Sequence, residues 1–241
     1  MNGFFTHLAH DIETGTLGTS RHQYSRYGVN ITRTDIVHDI DDYRHGTYHS
    51  IALSSHDMDS FTSALSEVMR EYLTDIRRVL IVGLGNAEYV CDRLGHDTIH
   101  DIDVRRYNGR VATLTPLVEH VTGMSSTAII QGVVHEYKPS HIIIIDSVAT
   151  SHVERLGTMV QITDSGICPG GGVGGDNGII DSDTIGVPVI AIGVPMVISA
   201  RALLGRDASI RYFIPSTIDD IVRRSAVLLS HAISRTLSDI F

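Results

Sequence analysis

At 241 residues, of which 42% are hydrophobic, the chain is long enough to bury a substantial core as a single α/β domain. Its formal charge of −9 argues against a nucleic-acid partner, which needs clustered Lys and Arg, and its two cysteines give no disulfide framework and suit a reducing cytoplasm. No stretch reaches the ~20 apolar residues of a membrane span, and the opening MNGFFTHLAHDIETG lacks the basic start and apolar run of a signal peptide.

Taken in chain order, residues 1–30 are polar, dotted with histidine and weakly periodic, and read as a loose arm or pro-segment. Gly28–Asp35 predicts a short strand. Asp57–Leu73 predicts a helix, because Phe61, Leu65, Val68, Met69 and Tyr72 recur at helical spacing and Asp57 or Ser55 can cap its start. Val79–Gly83 predicts a strand, Cys91–Ile102 a helix after a turn, Val111–Leu114 a strand, and Ser125–Glu136 a helix stopped by Pro139. Ile142–Ile145 is the central strand and Gly157–Thr163 another, followed by the glycine-rich loop Ser165–Gly178. Val187–Gly193 is again a strand, Pro195 opens a helix through Leu204, and an amphipathic helix spans about Thr217–Leu237. Strands alternating with helices imply a three-layer α/β/α sandwich around a mostly parallel sheet. The organisation is an arm over 1–35 and one α/β domain over 36–241.

The candidate chemistry lies at two acids. The run His141–Ile145 leads straight into Asp146, and Asp92 follows Gly83-Leu84-Gly85-Asn86 by six residues. A strand made of branched apolar side chains is buried on both faces, and the residue past its carboxyl end sits on the rim where open α/β folds place ligands. An acid there is hydrated, paired or functional, since an isolated buried charge is costly. The structural alternatives are a helix cap for Asp92 and a cap on Ser147–Thr150 for Asp146. GLGNAE lacks the third glycine of the dinucleotide fingerprint and no Gly-Lys-Ser/Thr follows, so no phosphate cofactor is implied. Asp164, in Asp-Ser-Gly, reads as a turn-former. Cys91 and Cys168, with His96 or His152 as base, make weaker nucleophile candidates.

The blocks VLIVGLGN with DRLG, AIIQGVV with KP, IIIIDSVA with VERLGTMVQITDSGICPGGGVG, and TIGVPVIAIGVPMVISA, in that order, resemble the spore germination endopeptidase family, whose members degrade small acid-soluble spore proteins. The resemblance is strongest from Gly132 to Ala200. It implies an aspartate-dependent endopeptidase with Asp92 and Asp146 as the catalytic pair, no cofactor and no metal, a fold similar to hydrogenase-maturation endopeptidases, assembly as a homotetramer, and a place in the spore core. It also implies a zymogen that trims itself, with the bond after Asp35 in Thr32-Arg33-Thr34-Asp35 as the processing site. The chain departs from the family pattern at several places. Cys91 stands for a proline and Cys168 for a histidine. Asp176-Asn177-Gly178 replaces basic residues, Ser151-His152 occupies the place of an arginine, and a segment before the last helix is missing.

Two other readings stay open on the sequence. In one, Asp92, Asp146 and His96 or His152 form an oxygen/nitrogen metal site of the hydrogenase-maturation kind. In the other, the chain is a non-catalytic relative that binds peptides.

Overall fold

The computed structural model of the chain describes residues 9, 12, 15–40, 43–53, 58–169, 178–199 and 212–241. In chain order these form β1 (Thr19–Arg26), β2 (Val29–Ile36), β3 (Gly46–Ala52), α1 (Met58–Tyr72), β4 (Val79–Gly83), α2 (Leu94–His100), β5 (Val111–Leu114), α3 (Glu119–Thr122), α4 (Ser126–Tyr137), β6 (His141–Thr150), β7 (Met159–Thr163), α5 (Ser182–Ile185), β8 (Val189–Ser199), β9 (Tyr212–Phe213) and α6 (Ile218–Ile240). The strands make one sheet in the order β1-β2-β3-β7-β8-β6-β4-β5, with β9 on the far end of β8. The chain is an α/β protein.

Isoleucine explains the centre of the sheet. Ile142, Ile143, Ile144 and Ile145 are all fully buried, because β6 lies between β4 and β8 and carries helices on both faces. Burial of each such side chain is worth about 1.5–3 kcal/mol. Ile143 and Ile145 pack toward α1, α2 and α6, whose apolar stripes include Phe61, Leu65, Leu94, Val222 and Ile233. Ile142 and Ile144 pack toward α4 and α5 through Ile130 and Ile185. The helices form where the periodicity places them. Ser125 caps α4, its hydroxyl accepting from Ala128 N at 3.2 Å, and Lys138 closes the helix in the left-handed region just before Pro139.

In the sheet expected to be mostly parallel, the parallel pairing belongs to four neighbours, β5-β4-β6-β8. The other half, β7-β3-β2-β1, is antiparallel. Only a short connection with no crossover helix separates β6 from β7, so the chain returns in the opposite direction. Pro195 does not open a helix; it lies inside β8. It pairs with Val148 where the register slips, Ala149 pairing with Val197, and a bulge tolerates a residue without an amide hydrogen. Ser55, Asp57, residues 200–204 and most of the loop Cys168–Gly178, including Asp176 and Asn177, lie outside the described residues.

Nor is the stretch 1–30 a loose arm throughout. β1 pairs along its whole length with β2 through a two-residue turn, Tyr27-Gly28, whose φ angles of 52° and 73° suit the twist of a hairpin. Residues Ala9 and Ile12 are buried on the sheet face away from α1, against Ile36 and Tyr48. Gln161 Oε1 accepts from Ala9 N at 2.6 Å, and the Arg21 guanidinium donates to Ile12 O at 2.9 Å.

Candidate active site

Strand lengths create the site. The ladder between β4 and β6 ends at the pair Gly83–Ile145, with Leu84 N donating to Ile145 O at 2.9 Å as its last link. β6 runs on through Thr150 beside β8. Asp146 is therefore the first residue of β6 past the end of β4, at the rim although not at the end of its own strand. The loop that replaces β4 there is Leu84–Arg93, and it brings Asp92 back in a short 3-10 turn, Val90–Asp92.

Close backbone packing fixes this return. A Cβ on Gly83 would lie 2.3 Å from Gly95 O, and one on Gly95 would lie 2.6 Å from Ile145 O, so α2 starts directly against the strand ends. Leu94, between Asp92 and Gly95, is fully buried in the core beneath. Gly85 has φ +98°, and a Cβ there would be 1.9 Å from Asp92 O and 3.0 Å from Asp92 Oδ1. Any side chain at position 85 would displace the acid.

Asp92 is half-buried, and its Oδ2 accepts from Asn86 N at 2.8 Å. Asp146 is 6% exposed, and its Oδ1 accepts from Ser147 N at 2.8 Å. Burial pushes the Asp146 carboxyl well above the usual carboxylate range, and the negative charge of Asp92 pushes it further in the same direction. Asp92 and Asp146 thus share one electrostatic environment, in which keeping one proton on the pair costs less than ionising both.

The other sequence candidates serve elsewhere. Asp164 Oδ1 accepts from Thr47 N at 2.8 Å and fastens the start of β3. The His96 ring faces Asp97 at 3.2 Å and the His152 ring faces Glu154 at 3.3 Å. Burial and the charge of Asp92 raise the Cys91 thiol, which opposes a thiolate nucleophile. Among the described residues no group of three or more His, Cys, Asp or Glu side chains is placed to hold a metal ion. Their helices include none long and apolar enough to cross a membrane. Asp35 lies within β2, paired to Ser20 on one side and Thr47 on the other. Arg33 and Thr47 hold its carboxylate at 2.9 Å each, so the bond after it is embedded in the sheet.

One residue of the site escaped the sequence reading. Asn86 is 3% exposed, and its Oδ1 accepts from Glu88 N at 3.0 Å. The available signal was an amide side chain ending the apolar run VLIVGLGN.

The sequence profile of the family described as germination protease matches residues 50–216. The chain belongs to the germination protease family. A germination protease from Bacillus velezensis is 34% identical over 206 residues, covering 76% of this chain and 56% of that protein. One from Caldanaerobacter subterraneus subsp. tengcongensis is 33% identical over 208 residues, covering 76% and 64%. One from Bacillus subtilis is 41% identical over 133 residues, covering 50% and 36%. The chain thus spans about half the length of the germination proteases it matches. Among solved structures, a [NiFe] hydrogenase maturation protease, HycI from Thermococcus kodakarensis KOD1, aligns with a TM-score of 0.41 at 15% identity, covering 69% of this chain and 98% of that one.

Proposed function

We propose that the chain is an endopeptidase that hydrolyses peptide bonds of small acid-soluble spore proteins, with Asp92 and Asp146 as its catalytic pair. The observation that carries this reading is the buried Asp146 carboxyl, raised by burial and by the charge of Asp92 at the end of β4. Membership of the germination protease family supports it.

The two environments suggest the roles. Each carboxyl accepts one backbone amide at 2.8 Å, so burial is what separates them: Asp92 is the more exposed and is the base, while Asp146 is buried and holds the proton. Asp92 removes a proton from water as the oxygen attacks the scissile carbonyl, and Asp146 gives its proton to the carbonyl oxygen. When the tetrahedral species collapses, a hydroxyl proton returns to Asp146 and Asp92 protonates the leaving nitrogen. Both acids end as they began, and general acid–base catalysis of this kind supplies about 10²–10⁴-fold each.

The test is incubation of the purified chain with a small acid-soluble spore protein, alongside Asp92→Asn and Asp146→Asn. Cleavage by wild type and by neither variant is expected. Full cleavage by either variant removes the pair from the mechanism, and no cleavage by wild type favours a peptide-binding relative. Self-processing after Asp35 fits this reading only for a chain whose β1–β2 hairpin has come away from β3. Assembly as a tetramer and a spore-core location complete the proposal, the former measurable by sedimentation.

A further inference from the structure

The chain between β4 and Asp92 is a loop that exposed acids do not need. A caps-only role for Asp92 would require no buried polar side chain nearby, yet Asn86 is 3% exposed. Its backbone amide donates to Asp92 Oδ2 at 2.8 Å. Its side-chain Oδ1 accepts from Glu88 N at 3.0 Å, and its carbonyl accepts from Tyr89 N at 3.1 Å. These two bonds close a turn over Asn86–Tyr89, and the same turn continues into the link from Asp92 N to Tyr89 O at 2.9 Å. An Asn side chain that bonds the amide two residues on is the local device that fixes such a turn. Asn86 therefore sets both ends of the arrangement: its side chain shapes the loop, and the shaped loop aims its own amide at the carboxylate.

The residues on either side of Asn86 and Asp92 have other roles. Gly85 provides only space, its Cα lying against Asp92. Arg93, next in sequence, is turned away to Asp97, with Nε to Oδ2 at 2.8 Å. Cys91 packs against the core.

We infer that Asn86 is a positioning residue for the proposed hydrolysis: through its Oδ1 bond to Glu88 N it holds the loop that points an amide at Asp92. It acts through Asp92 and does not itself touch the peptide. The inference rests on the reading of Asp92 as a catalytic acid, and it predicts which kinetic constant moves. A residue that binds substrate changes KM, whereas one that holds a reacting group within a fraction of an ångström changes kcat.

The experiment compares Asn86→Ala and Asn86→Ser with wild type, using a small acid-soluble spore protein as substrate and thermal unfolding as the control for folding. Serine keeps an oxygen that can accept from Glu88 N, more weakly than asparagine; alanine keeps none. The expected result is a kcat that falls in the order Asn, Ser, Ala, by about 10- to 100-fold for Ala, with KM within about threefold. Equal kcat for Ala and wild type overturns the inference, as does an equal loss in Ala and Ser, or a loss confined to KM. Should the Ala variant fail to fold, the Ser variant alone decides, by a partial fall in kcat at an unchanged Tm or by none. Asp92→Asn, run beside them, separates the two levels. If it retains activity, the catalytic reading itself falls; if it is inactive while Asn86→Ala is fully active, only the positioning role falls.

Discussion

The two halves of the sheet are built on different principles. In β5-β4-β6-β8 the strands are parallel, apolar on both faces and covered by helices, and the acids stand where one strand stops short. In β7-β3-β2-β1 the strands are antiparallel and carry polar side chains, tied to α1 by ion pairs such as Arg26–Glu67 at 3.1 Å and Arg26–Glu71 at 2.8 Å. The first half can bury a carboxyl such as Asp146 because the isoleucine core around it tolerates a local cost. In the second, burial of Asp35 is outweighed by its hydrogen bonds from Arg33 and Thr47, which hold its carboxyl below the usual carboxylate range. A carboxyl pushed upward needs a dry wall, and Asp146 has one in the first half.

The sharpest way to break this comparison is to remove the same kind of group from each half. Asp146→Asn should lower kcat on a spore-protein substrate by at least about 10²-fold with little loss of folding. Asp164→Ala, which deletes the acceptor for Thr47 N in the antiparallel half, should leave kcat within about threefold and cost about 0.5–1.5 kcal/mol of stability. Equal kinetic losses at both positions would erase the distinction.

A purely structural version follows with the next largest effect. Ile143→Ala in β6 should cost about 2–5 kcal/mol by thermal or denaturant unfolding, since a fully buried side chain is replaced by a cavity under α1 and α6. Its cost should exceed that of any single substitution in β1, where no residue is fully buried. A smaller loss at Ile143 than at Tyr24 of β1 would show that the parallel half is not the more rigid one.

The halves also differ in how readily sequence reveals them. VLIVG and HIIIID announce buried strands because nothing polar interrupts them, and the acids that follow stand out for the same reason. β1, with TSRHQYSR, has no such signature. It is an edge strand whose side chains meet helix α1 on one side, as at Arg26–Glu67, 41 residues apart, and Ile12 on the other, through Arg21. The Tyr27-Gly28 turn was the one local cue. Pro195 misled because a proline after an apolar run reads as a helix start, and only the register slip against Val148 makes a strand possible there. Asn86 went unread because its role depends on a carboxylate returning to it through a loop.

A pH experiment sharpens the contrast at about the kcal/mol level. Asp146 has a folded-state pKa raised above the ordinary 3.8, so the folded chain binds a proton that the unfolded chain has released. That contribution to stability is fully present below the ordinary carboxylate range and is lost as pH rises through the raised folded value. Asp146→Asn carries no titrating group, so its stability relative to wild type should improve as pH rises from about 4 toward neutrality, by no more than about 1.4 kcal/mol per pH unit. Melting curves across that range provide the test. A wild type that gains on the variant with rising pH would mean that Asp146 is stabilised in its charged form.

The smallest effect expected lies at the hairpin. Arg26 is about one-third exposed, bonds two glutamates of α1 and lies over the Tyr24 ring at 5.3 Å. Exposed pairs of this kind are worth about 0.2–1 kcal/mol, so Arg26→Ala should barely move the global Tm and should lose even that effect in high salt. Local opening is a different matter. β1 and β2 reach the rest of the sheet only through β3, so a small loss at their contact with α1 can loosen the hairpin while the parallel half stays closed. Amide exchange in residues 19–36 should then quicken in Arg26→Ala with exchange in β6 unchanged. The bond after Asp35 is embedded only as long as β2 remains paired, so any cleavage there should quicken in the same variant. Faster exchange throughout β6 as well would show that the two halves unfold together, and that the division drawn between them is one of chemistry alone.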